Sequence, residues 1–87
     1  MKSPKNQTAE VLFELINNSF ITRKSILIDT GILNLTARIA DLRIRHNLDV
    51  MCQKVEALNK HNRKVQYGKW YVHDKNYAIE VYSKINQ

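Results

Sequence analysis

The chain has 87 residues, 44% of them hydrophobic, with two glycines, one proline, one cysteine and a net charge of +6. That leaves room for one domain with one core, excludes an internal disulfide, and separates the chain from disordered or repetitive sequences. No apolar run approaches the roughly 20 residues of a membrane span, and the polar start Met-Lys-Ser-Pro-Lys-Asn-Gln has no signal-peptide centre, so a cytoplasmic protein is expected.

Ser3-Pro4 reads as a helix start, with serine as N-cap and proline in the first turn. From there Ala9, Leu12, Phe13, Leu15, Ile16 and Phe20 recur at helical spacing, which predicts a helix over about 4–17, ended by Asn17-Asn18-Ser19. Thr22 caps a short second helix, about 23–29, with Ile26 and Leu27 facing inward, and Gly31 follows where left-handed backbone is needed. Asn34 can then cap a third helix over about 35–46. In it Leu35, Ile39 and Leu42 form a narrow apolar stripe, with His46 roughly in line. Arg38, Asp41 and Arg45 project from one flank, Thr36 and Arg43 from the other, and Ala37 and Ala40 lie outward. Helix, glycine turn, helix is the pattern of a helix-turn-helix.

Asn47 suits the left-handed closure of that helix. Leu48, Val50 and Cys52 alternate with polar or flexible residues, which predicts a half-buried strand over about 48–57, with Cys52 a small buried hydrophobe. A polar tip, Asn59 to Lys64, leads to a second strand over about 65–73, rich in β-branched and aromatic residues, with Gly68 marking a bulge. Asp74 caps a last helix, about 75–85, in which Tyr77, Ala78, Val81, Tyr82 and Ile85 share a face. The fold class expected is α+β: three helices, a two-stranded hairpin or "wing", and a closing helix.

The positive charge is unevenly placed. All of the excess lies in two segments: Asn34–His46, with Arg38, Arg43 and Arg45 against Asp41, and Lys54–Lys75, with Lys54, Lys60, Arg63, Lys64, Lys69 and Lys75 against Glu56 and Asp74. Two basic segments suit one polyanion; a merely solubilising surface is the alternative.

The segment Leu35-Thr36-Ala37-Arg38-Ile39-Ala40-Asp41-Leu42-Arg43 resembles the recognition helix of a small winged helix-turn-helix family of phages and mobile elements. There this helix reads Leu-x-x-Arg-Ile-x-Asp/Glu-Leu-Arg before a Gly-Tyr-x-Ile strand. Leu35, Arg38, Ile39, Asp41, Leu42 and Arg43 match; Asn47 stands at the glycine and Leu48 at the aromatic position. The likeness covers about Val11 to Val72, and its specific part is the helix. The Gly31–Ile39 spacing is about two residues longer than in phage repressors, and the long polar hairpin and last helix are less typical. The resemblance implies site-specific duplex DNA binding, in transcriptional control or as an accessory factor in recombination or excision, and no catalysis.

Arg38 and Arg45 can fork onto guanine, with Asp41 either holding them in place or simply pairing with them on a solvated face. Asn34, Thr36 and Ala37 complete the helix surface that would meet DNA, and Arg43 stands between a DNA and a structural role. Thr22, Arg23 and Lys24 open a helix whose amides suit a phosphate, and Lys60, Arg63 and Lys64 at the hairpin tip suit phosphates or a minor groove. Trp70, Tyr71, Tyr67, Tyr77 and Tyr82 are read as core or interface, and Tyr77, Val81, Tyr82 and Ile85 as a candidate homodimer stripe. His46, His61, His73 and Cys52 include no pair at zinc-ligand spacing, and there is no glycine-rich phosphate loop or telling pair of carboxylates. No metal, cofactor, small-molecule ligand or enzyme activity is therefore expected. The rival reading is a protein-interaction module whose basic face takes an acidic host or phage protein.

Overall fold

A computed structural model of the protein describes residues 2–87. Four helices, α1 (Gln7–Asn17), α2 (Arg23–Thr30), α3 (Leu35–Arg45) and α4 (Lys75–Ile85), surround one core. Strands β1 (Val50–Leu58) and β2 (Lys64–Val72) form an antiparallel hairpin between α3 and α4. The molecule measures 46 × 23 × 20 Å; nine-residue strands extend about 30 Å, so the hairpin accounts for the elongation.

Local capping fixes most boundaries. Thr22 and Ser25 close a reciprocal capping box at the start of α2, and Gly31 ends that helix at φ 75°. Asn34 and Asp74 accept the amides of Ala37 and Tyr77 at the starts of α3 and α4. After α3, Asn47 takes φ 52°, and Leu48 N–H returns to the Leu42 carbonyl at 3.0 Å.

The first helix begins later than the Ser3-Pro4 pattern predicts. Asn6 is the N-cap, accepting Ala9 N–H at 2.8 Å. Residues 2–5 are held instead by the end of α4. Asn86, itself buried, donates to the Ser3 carbonyl at 2.8 Å and accepts from Lys5 N–H at 2.7 Å, and the Tyr82 hydroxyl donates to the Lys2 carbonyl. Those backbone groups are thereby drawn away from a helical ladder.

Leu12 and Leu15 of α1, Ile26 of α2, Leu35, Ile39 and Leu42 of α3, Val50 and Val72 at the hairpin root, and Val81 and Tyr82 of α4 fill the core. Each large aliphatic side chain so buried contributes about 1.5–3 kcal/mol. The α4 stripe read as a candidate dimer interface is spent here: Val81 and Tyr82 are buried, and Tyr77 and Ile85 pack on the same core. Leu27, expected inside, is 45% exposed, because the eight-residue α2 meets the core through Ile26 alone.

The first strand begins at Val50, two residues beyond Leu48, the second at Lys64, and their ladder runs unbroken from Val50↔Val72 to Leu58↔Lys64. Gly68 therefore marks no bulge. It marks a close approach instead: a Cβ there would stand 3.1 Å from Cys52 Sγ and 3.2 Å from the Trp70 ring. Cys52, expected buried, is exposed: on that strand face Val50, Val72 and, in part, Trp70 meet the core, and Cys52 does not. A contact that period and propensity do not show ties the root down. Ile21, between α1 and α2, pairs with Trp70 through two backbone hydrogen bonds of 2.8 and 2.9 Å.

Candidate nucleic-acid interface

The side chains of α3 separate into three sets. Its apolar stripe is buried, and its outward centre carries Ala37, Ala40 and Ile44, the last 80% exposed. One flank carries Thr36 and Arg43 and faces the hairpin; the other carries Arg38, Asp41 and Arg45 and faces α1.

On the hairpin flank the Arg43 guanidinium is committed to structure. Its Nε and Nη2 both donate to the Val50 carbonyl, at 3.0 and 2.6 Å. Thr36 accepts a hydrogen bond from Arg23 Nη2 at 2.9 Å, which joins the starts of α2 and α3.

On the α1 flank, Arg38 and Arg45 are unequal. Arg38 is 29% exposed, 3.5 Å from Asp41, and its buried Nε has no partner. Arg45 is 77% exposed and only loosely paired with Asp41, at 3.9 Å. Asp41 also accepts from the Thr8 hydroxyl of α1 at 3.2 Å, which fixes the carboxylate against the body. Arg38 and Arg45 thus stand on the opposite flank from the hairpin, and of the two Arg45 has the reach. The sequence pattern alone makes them twins; packing of α1 separates them.

Lys60, Arg63 and Lys64 are exposed at the hairpin end, as placed by a turn that Asn59 organises. Its Oδ1 accepts His61 and Arg63 amides at 2.9 and 3.0 Å, and Asn62 takes φ 62°. Lys54 and Lys64 lie on the same hairpin face as Cys52 and Trp70, by strand alternation and register.

Between that hairpin face and the helices runs a groove. One part, of about 760 Å³, is lined by residues that include Phe20, Arg23, Lys24, Lys54, Tyr67 and Trp70. A second part continues from Arg23, Cys52 and Trp70 along Thr36, Ala40, Arg43 and Ile44 of α3. The structure thus brings Arg23, Lys24, Thr36 and Arg43 to one groove. Thr22 lines it too, its hydroxyl occupied by Ser25 N–H at 3.0 Å. Asn34 is exposed at the start of α3 with its side chain held by the cap.

Phe20, Lys54, Tyr67 and Trp70 also line the groove; the sequence places Phe20 in the first-helix stripe, Lys54 among the cations of the second basic segment, and Tyr67 and Trp70 in core or interface. For Lys54 and Trp70 the available signal was the strand alternation that puts them on one face with Cys52 and Gly68. No group of three or more His, Cys, Asp or Glu side chains that could hold a metal ion occurs among the described residues. No helix among them is long and apolar enough to cross a membrane. Comparison of the chain with protein-family models, curated proteins and solved structures gave no match.

Proposed function

We propose that the chain is a winged helix-turn-helix protein that binds duplex DNA at specific sites. The order supports this class: helix, short bridge through Ile21, helix, left-handed glycine turn, helix and hairpin. The observation that carries the reading is the joint surface of α3 and the hairpin. The small-residue outward face of α3 is bordered by the well-exposed Arg45 on one side. On the other lie Arg23 and Lys24, followed by the hairpin cations Lys54, Lys60, Arg63 and Lys64.

A helix of this kind fits a major groove about 12 Å wide. Ala37 and Ala40 allow close approach to base edges, Thr36 and Ile44 offer contact to a thymine methyl, and Arg45 offers a fork to guanine. Arg23, Lys24 and the hairpin tip then take phosphates on the far side of the strand. Transcriptional control, or an accessory role in recombination or excision for a phage or mobile element, is the setting this reading suits.

With about four to six phosphates neutralised, log Kd against log salt should have a slope of roughly 4 to 5. A titration of labelled duplex at several salt concentrations tests it; an affinity indifferent to salt contradicts it.

One observation favours a second reading. Ile44 at the centre of the outward face is 80% exposed, an apolar group that also suits a protein partner with acidic surroundings. Under that reading Ile44→Ser abolishes capture of the partner and leaves non-selective DNA retention intact.

A further inference from the structure

The two faces of the hairpin differ in kind. On one, Val50 and Val72 enter the core at the root, and Lys54, Glu56, Lys64 and Gln66 make the outer part polar. The other carries the rungs Met51–Tyr71, Gln53–Lys69, Val55–Tyr67 and Ala57–Val65. Six of these eight side chains are apolar, and none of the six belongs to the core of the described residues. Val65 and Tyr67, on the rungs nearest the tip, are 37% and 41% exposed, and the two strands pack chiefly on each other. A two-stranded sheet with one apolar face gains stability when that face is covered.

Charge narrows the choice of cover. The chain carries +6, so two copies can meet only where cations are sparse. This face is such a place. Its one ionic side chain is Lys69, whose ammonium stands 4.2 Å from the Phe20 ring centroid, turned to a ring of its own molecule. A polyanion or an acidic protein finds little to hold there. A second copy of the same uncharged, apolar strip matches it.

We propose that two copies of the chain associate face to face through this side of the hairpin, about a twofold axis running along it. Each rung then meets its own counterpart, with Tyr67 of one copy over Val55 of the other, and both tips point the same way. The strip measures about 30 by 10 Å, so the pair buries roughly 600–800 Å² in all, below the about 1,200–2,000 Å² of a stable complex. The dimer is therefore weak and forms as concentration rises. The contact stands on the hairpin alone; under the duplex reading it lets two chains with both tips on one double helix hold each other in place.

Sedimentation equilibrium of the full chain, without nucleic acid, is run from about 10 μM to about 1 mM, the range of weak interfaces. The mass is expected to rise reversibly from monomer towards dimer. Tyr67→Glu and Val65→Glu, at exposed positions, are each expected to weaken dimerisation about tenfold or more, by setting like charges against each other. Gln66→Glu puts the same charge on the opposite face and should leave dimerisation within about twofold of the parent. Tyr67→Lys alone should dimerise as poorly as Tyr67→Glu, and a mixture of the two should recover the dimer, which a loss of folding in either would not allow. Circular dichroism checks the fold of each variant. A mass that stays monomeric through the whole range overturns the inference. So does equal weakening by Gln66→Glu and Tyr67→Glu, or a mixture of folded Tyr67 variants that remains monomeric. No nucleic acid enters these measurements, so they decide the dimer whether or not the duplex reading holds.

Discussion

Arg43 of α3 holds the carbonyl of Val50 with two nitrogens of its guanidinium, Nε at 3.0 Å and Nη2 at 2.6 Å. Val50 is the first residue of β1, so this contact sets how the hairpin leaves the helical body. A charged donor on a neutral acceptor contributes about 1.5–3 kcal/mol. Arg43→Lys cannot reproduce the two-nitrogen grip and is expected to lose most of that. Urea denaturation measures the loss, and amide exchange at the hairpin root should accelerate with it. Duplex affinity should fall alike for every sequence, because the geometry of the hairpin is disturbed and no base contact is removed.

Arg45 and Lys64 should behave differently from Arg43 and from each other. Arg45→Ala is expected to relax preference at one base pair by about 1–3 kcal/mol, and Lys64→Ala to weaken binding uniformly and lower the salt slope by about 1. Arg38→Ala should change selectivity less than Arg45→Ala, since Arg38 is largely held on the α1 flank beside Asp41. Competition titrations with single-base variants of the preferred duplex read all three. A larger selectivity loss in Arg38→Ala than in Arg45→Ala would show that the wrong arginine is assigned.

Stability at alkaline pH should carry two opposing contributions. Burial raises the Tyr82 pKa above its ordinary 10.0. The unfolded chain therefore releases that proton first, and stability falls as pH rises from about 10 through the folded-state value. Burial lowers the Lys75 pKa below 10.5; its ammonium is held by the Leu15 and Asn18 carbonyls at the end of α1. Between the folded value and 10.5 the unfolded chain holds the extra proton, so that contribution rises with pH. Urea midpoints measured through this range should show a steeper alkaline decline in the parent than in Tyr82→Phe. Equal declines would remove Tyr82 from the explanation.

Leu42 and Ile44 are near neighbours on one helix with opposite fates. Leu42 is fully buried, and Leu42→Ala should cost about 2–5 kcal/mol. Ile44→Ala should stay within about 0.5 kcal/mol. Thermal or urea unfolding of the pair checks the orientation of α3 without any reference to ligand.

What was legible in the sequence is what local chemistry decides. Thr22, Gly31, Asn34, Asn47 and Asp74 each act on backbone a few residues away, and each stands where a cap or left-handed closure was expected. The α3 stripe, the existence of the hairpin and the helix that follows it were readable from period and propensity. Features set by distant neighbours were not. Asn86 reaches residues 2–5 and moves the start of α1 to Gln7; Trp70 finds Ile21 across the chain; Leu27 and Cys52 lack a facing layer that periodicity cannot report on. Gly68 accommodates a ring beside the strand, whereas the shift in apolar phase across it predicts a bulge. The α3 cations were readable as a set, but their division between Val50, Asp41 and solvent depends on which elements pack on each flank.

If the outward face of α3 reads duplex DNA by sequence, selection of bound fragments from a random duplex pool should enrich one short motif that the intact chain retains at moderate salt. A pool that emerges with its composition unchanged would contradict it.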